Sequence, residues 1–420
     1  MKNLYFFPLL SLLGCGLTPN NETEALDEAT HTVCEANANW ISSPTMPSEV
    51  PSDETFCDFY QFSWQWFLAQ ASPSSEEKTP VFMENRAYHP TAGNDQCDGP
   101  SLSGIEGLAK VLQPRIIKPV DLEDVQADQN ALYDQKGNIL LYNAYYSEAL
   151  CDSTSAGFAP GTLEAKASWV RLPGPRDDYF TATVPLDNGE AIIGLVGLHL
   201  AIWTPNHPEM IWASWEHKLN APLCNGHSKG DKFAFASPAA AACLKENKHD
   251  GDGPPPEACS SFEFNTPNDI TGDSIPFTGK PNNVCREYKY GTRLAESVNG
   301  NDNLANVTAI EELNFALVGP EGLLTKLPAD DPMAVWANYE MIGALWTKDG
   351  ANSGKPPVPS QQGDADPNSP QRGSLELANM SLETFQQGES SYVPNCFGCH
   401  NYDSATPLTV SHIQSKLISE

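Results

Sequence analysis

Twenty residues from its end, this 420-residue chain carries Asn395-Cys396-Phe397-Gly398-Cys399-His400. With 11 Cys and 9 His in the chain, a C-x-x-C-H run arises by chance roughly 0.006 times. The spacing is that of covalent haem attachment. Two thiols add to the haem vinyl groups, and the adjacent imidazole becomes the proximal iron ligand. A zinc site wants a second pair of ligands at finger-like spacing, and no second C-x-x-C exists in the chain. The position of the motif constrains the fold more than any other feature. The residues after His400 include no Met and one His, His412, so a haem held there has to be covered by the chain that precedes it.

The other end fits chemistry outside the cytoplasm. Lys2 precedes an apolar run from Leu4 to Leu13, too short to span a bilayer and of signal-peptide form. Leu12-Leu13-Gly14-Cys15 has lipobox form, which makes Cys15 the expected lipidated N-terminus of an exported protein on the outer membrane or facing the periplasm. Setting aside Cys15, Cys396 and Cys399 leaves eight cysteines, an even number that predicts disulfides. Eight allow 105 pairings, so only neighbour pairs such as Cys34–Cys57 and Cys243–Cys259 can be named. The net charge of −30 argues against nucleic acid as a partner and favours a basic redox protein.

Between the ends, the pattern predicts an α+β fold: an antiparallel β-sheet or sandwich with peripheral helices and a short C-terminal haem c attachment segment. Residues 16–55 are polar and read as a tether. The body spans 56–347, with a disulfide-rich insertion at 224–284. A loop follows at 348–373, and the attachment segment is 374–420. Phe59, Phe62, Trp66 and Ala69 follow helical spacing. Strands are expected at 138–147, 164–172, 179–186, 191–204 and 210–219. Residues 304–319 read as a helix, 333–347 as a strand, and 374–387 as a short amphipathic helix.

Four residues are candidates for the sixth iron position. His412 is the local one and Met380 sits on the expected preceding helix. The other two, His199 and His217, come from a strand pair. A turn centred on Asn206–His207–Pro208 sets Trp203 against Ile211 and His199 against Trp215. One face then carries Trp203, His199, Trp215 and His217, with Glu216 on the other. Glu164 and Lys166 share a strand face and read as a sheet-surface ion pair.

Several stretches together resemble one family of exported bacterial proteins, the "cytochrome c family protein". They are FSWQWFLA (62–69), DQKGNILLYNAYY (134–146), LEAKASWV (163–170), GLVGLHLAIWTPNHPEMIWASWEHKLNAP (194–222), WANYEMIGALWT (336–347), LANMSLETFQQ (377–387), NCFGCH (395–400) and SHI (411–413). The resemblance covers most of the chain from Phe62 to Ile413. It implies one haem c on Cys396, Cys399 and His400, and electron transfer. It names no settled reaction. Members carry a Thr-Thr-Met-Glu run before the haem segment, whereas this chain has Asn379-Met380-Ser381-Leu382-Glu383. A haem relay, a peroxidase- or oxidase-like enzyme with an open iron site, and a non-redox haem sensor or surface lipoprotein are the three functional expectations.

Overall fold

The computed structural model describes residues 33–51, 55–75, 78–89, 96–99, 101–117, 120–121, 130–186, 189–268, 274–294, 301–348, 370–387, 395–400 and 407–417. The expected signal peptide and Cys15 lie outside the described residues, as does most of the 348–373 loop. From Cys34 onward the chain forms one compact unit.

An eight-stranded antiparallel sheet organises that unit. Its strands are β1 (Arg86–Ala87), β2 (Leu141–Tyr146), β3 (Leu163–Leu172), β4 (Thr181–Leu186), β5 (Gly189–Ile202), β6 (Ile211–His217), β7 (Tyr339–Thr347) and β8 (Gln371–Gly373). The order across the sheet is β1-β2-β3-β5-β6-β7-β8, and β4 pairs with the first half of β5. With its helices the fold is α+β. The sheet runs past the predicted body, because Gln371–Gly373 adds an edge strand beyond residue 347. Residues 333–347 divide between a 3-10 turn, Ala334–Asn338, and β7.

Helix α1 (Phe56–Ala71) starts where its sequence says it should. Thr55 accepts from the Asp58 backbone, and Asp58 reaches back to the Thr55 N–H, a reciprocal capping box. Trp64 and Phe67 of α1 meet Trp215 with ring centroids 5.8 and 4.7 Å away. α1 therefore covers the sheet face that carries Trp215. Helix α2 (Gly104–Ile117) packs on β2 and β4, and helix α4 (Asn303–Val318) on α1 and β7, while α3 (Pro238–Glu246) belongs to the insertion.

Four disulfides join the eight cysteines: Cys34–Cys57, Cys97–Cys151, Cys224–Cys285 and Cys243–Cys259. Both neighbour pairs named from the sequence are among them. Cys224–Cys285 closes the base of the insertion, so its boundaries are set by a covalent bond. The expected tether is shorter than 16–55. Cys34 and Val50 are buried in the core and Cys34 is bonded to α1, which anchors the second half of that stretch.

Two expectations about the backbone fail beside the site. Residues 374–387 form successive turns, not a helix. The sheet's side chains supply their partners: Glu216 accepts from the Met380 N–H, and Asn379 donates to Ser214 Oγ at 2.9 Å and to the Trp215 carbonyl at 3.2 Å. Such side-chain partners compete with helical hydrogen bonds. The β5–β6 register is also shifted by one residue. His199 lies opposite Ser214, and Leu198 opposite Trp215. Two tight turns fill the connection, His207 N–H to Thr204 and Met210 N–H to His207, and Met210 takes a left-handed φ of 65°. A slip of one residue exchanges the faces of a strand's side chains. His199 therefore shares its face with Trp212, Ser214 and Glu216, while Trp215 and His217 lie on the other.

Candidate functional site

The register arranges the His199 face in three rows. Trp212, Ala201 and Glu164 form the first, Ser214, His199 and Lys166 the second, and Glu216, Gly197 and Ser168 the third. The 379–384 segment lies over the third row, where Ser381 Oγ meets Ser168 Oγ at 2.7 Å. Gly197 is needed there, because a Cβ would run into Ser381, Ser168 and Asn379. The Arg286 guanidinium completes this side, pairing with Glu216 at 2.6 Å and donating to the Ala378 carbonyl at 3.0 Å.

The C-x-x-C-H segment lies over the first row. Cys396–Cys399 is one helical turn, capped by the Asn395 side chain, which accepts from the Phe397 N–H at 3.1 Å. Asn395 also donates to Gln371 and to the Leu375 carbonyl, tying the turn to β8. Phe397 is buried with Tyr146, Trp212, Leu345, Val410 and Ile413 in a cluster separate from the main core. The turn puts Cys396, Cys399 and His400 at i, i+3 and i+4, hence on one side. Cys396 is half-buried and Cys399 exposed, and neither is in a disulfide.

His400 is buried between two rings. Trp212 lies 4.2 Å from its centroid and His412 is stacked at 4.1 Å. Its Nδ1 is 2.8 Å from the Val410 carbonyl. A carbonyl only accepts, so Nδ1 carries the proton and Nε2 keeps the lone pair. Burial drives the His400 pKa well down, and the charge of Lys166 adds to this. A neutral imidazole with Nδ1–H held by a carbonyl is the form in which histidine ligates a metal. Burial, helped by the charge of Glu383, pushes the Cys396 thiol up. A reactive or zinc-binding thiol is shifted the other way. Among the described residues, no group of three or more His, Cys, Asp or Glu converges as a metal site. The donor set fits haem c: two cysteines outside any disulfide and one oriented imidazole on a single turn.

The four candidates for the sixth position separate sharply. His217 is on the opposite face, stacked on Tyr179 at 4.0 Å, donating from Nε2 to the Asp178 carbonyl and accepting the Leu219 N–H at Nδ1. Both nitrogens are committed, and burial lowers its pKa to about 4. Met380 is buried in the main core and not in the cluster around the attachment turn. His412 stacks on His400 and bonds the Cys399 carbonyl, so its ring lies beside the His400 imidazole. His199 alone lies in the row between the two covering segments. Its Nε2 is 2.8 Å from Glu383, and its charge reaches His400. Burial opposes ionisation of Glu383, but His199 and Lys166 outweigh it and hold the carboxyl below its usual value.

Glu164 is not on the surface, as its alternation with Lys166 implied. The 407–417 segment covers it, Ser411 Oγ bonds its carboxylate, and burial pushes its pKa up to about 7. A carboxyl with a raised folded-state pKa binds more protons folded than unfolded. Stability from this group is therefore greatest below pH 4.5 and declines as pH rises to 7, by about 3 kcal/mol. Glu164→Gln removes the ionisation. It is expected to melt with the parent at pH 4.5 and clearly above it at pH 8; equal melting at both pH values would contradict buried ionisation. Trp212, Glu383 and Ser411 were missed in the sequence. A Ser-His pair before a short apolar helix was the one available signal, an N-cap.

Compared with protein-family models, curated proteins and solved structures, the chain matches none.

Proposed function

We propose that the chain is an exported c-type cytochrome with a single haem on Cys396 and Cys399 and with His400 as proximal ligand. The attachment turn carries this reading, through the Nδ1–H of His400 committed to Val410 and the two cysteines outside any disulfide beside it. Haem bound there supplies one-electron chemistry. The protein's part is to fix the imidazole, exclude water from it with Trp212 and Phe397, and leave Cys399 at the surface for a partner. The charge of −30 suits a basic redox protein. The four disulfides are compatible with an exported protein, and no helix among the described residues is long and apolar enough to cross a membrane. We further propose lipid anchoring at Cys15, as an outer-membrane or periplasm-facing lipoprotein. Intact mass of the exported form, showing an unmodified Cys15, would remove that part.

The His199–Glu383 pair favours a second reading, a haem enzyme or gas sensor with an open iron site. Visible spectra of the oxidised and reduced protein, with and without carbon monoxide, decide between the two. The relay is expected to be low-spin and to ignore carbon monoxide; ready binding supports the second reading. Protein without any haem band sinks both.

A further inference from the structure

The residues that orient His400 are themselves held by a strand distant in sequence. Ser411 sits between Val410, whose carbonyl takes the His400 Nδ1–H, and His412, whose ring stacks on His400. The Ser411 hydroxyl does two things at once. It accepts the Gln414 N–H at 2.8 Å, starting the short helix His412–Leu417, and it donates to the Glu164 carboxylate. Glu164 is buried on β3, in the row that runs through Ala201 to Trp212. The same row thus supplies the indole against one side of the imidazole and the carboxylate that fixes the residues on its other side. Ser411 and Glu164 are 247 positions apart and buried.

We infer that Glu164 and Ser411 form a positioning clamp for the proximal ligand, acting through the Val410 carbonyl on the His400 Nδ1–H. The inference rests on the haem c reading above. A hydrogen bond to the distal ring nitrogen of a ligating histidine raises ligand basicity and fixes ring orientation. Greater basicity stabilises the oxidised iron. Breaking the clamp therefore raises the midpoint potential, and only while His400 remains the ligand.

The test uses the full-length exported protein as parent, Ser411→Ala, Glu164→Ala, the double variant and Glu164→Gln. Potentials are taken at pH 8 and folding is checked by circular dichroism. Ser411→Ala and Glu164→Ala are expected to favour the reduced form by about tenfold, a rise of roughly 59 mV. The double variant is expected to match the singles, because one chain of contacts is cut twice. Glu164→Gln keeps an acceptor for Ser411 and is expected to stay within a small fraction of that shift. Ser411→Ala is the milder change and carries the test if Glu164→Ala does not fold. Unchanged potentials with haem attached overturn the clamp, as do shifts that add in the double variant. If the parent carries no haem, the cytochrome reading fails by itself. The clamp is then read in the haem-free chain from the 15N shift of His400, where a tautomer unchanged by Ser411→Ala overturns it and loss of the Nδ1–H form supports it.

Discussion

Replacing Cys396 and Cys399 together by alanine is expected to abolish covalent haem entirely while the far-ultraviolet spectrum of the body stays as it was. Both thioether links leave with the sulfurs, so a denaturing gel stained for haem shows no band. The body keeps its fold because the main core contains neither the attachment turn nor the 407–417 segment. That core joins α1, α4 and the Trp215 face of the sheet, and all four disulfides form without the attachment cysteines. Phe397, Val410, Ile413 and Leu417 belong instead to the smaller cluster around Trp212. A stained band from the double variant refutes the attachment. A collapsed spectrum refutes an independent body.

The second large effect is expected at Arg286→Met. The guanidinium and Glu216 are 9% and 4% exposed, and the carboxylate also accepts from the Met380 N–H and from Asn220. Removing the cation leaves a buried carboxylate without its charge partner and the Ala378 carbonyl without its donor. Breaking one partner of such a pair costs about 3–5 kcal/mol. Urea denaturation of the parent and variant reads it as a lowered midpoint. A loss under about 1 kcal/mol means that water reaches Glu216, and then the 374–387 segment is not sealed onto the sheet. The effect is expected to exceed that of Glu164→Gln, which removes a charge without orphaning one.

Much of the fold was open to local reasoning. Alternation placed β2, β3, β4, β5 and β6 to within three residues at either end, because their side chains alternate or run apolar as a half-buried or buried sheet requires. The helical spacing of Phe59, Phe62, Trp66 and Ala69 placed α1. The spacing of Cys396, Cys399 and His400 placed two thiols and an imidazole together, since one helical turn brings i, i+3 and i+4 to one side whatever surrounds it.

What the sequence by itself determined is therefore local: the central strands, helices α1 and α4, and a turn bearing two thiols and an imidazole. What only the tertiary structure decided is which side chains face that turn. The β5–β6 register depends on two tight turns and a left-handed Met210, and a single-residue slip moved His217 and Trp215 away from His199 and brought Glu216 to it. The 374–387 segment follows helical spacing, yet its Met380 N–H bonds Glu216 and its Asn379 side chain bonds Ser214 and Trp215, partners over 160 positions away. Glu164 alternates like a surface residue, but Ser411 arrives from the far end of the chain to bury it. Periodicity reports which residues prefer burial. It carries no information on which distant segment covers them, because hydrogen bonds across 160 to 250 residues are fixed by the packed fold and not by spacing along the chain.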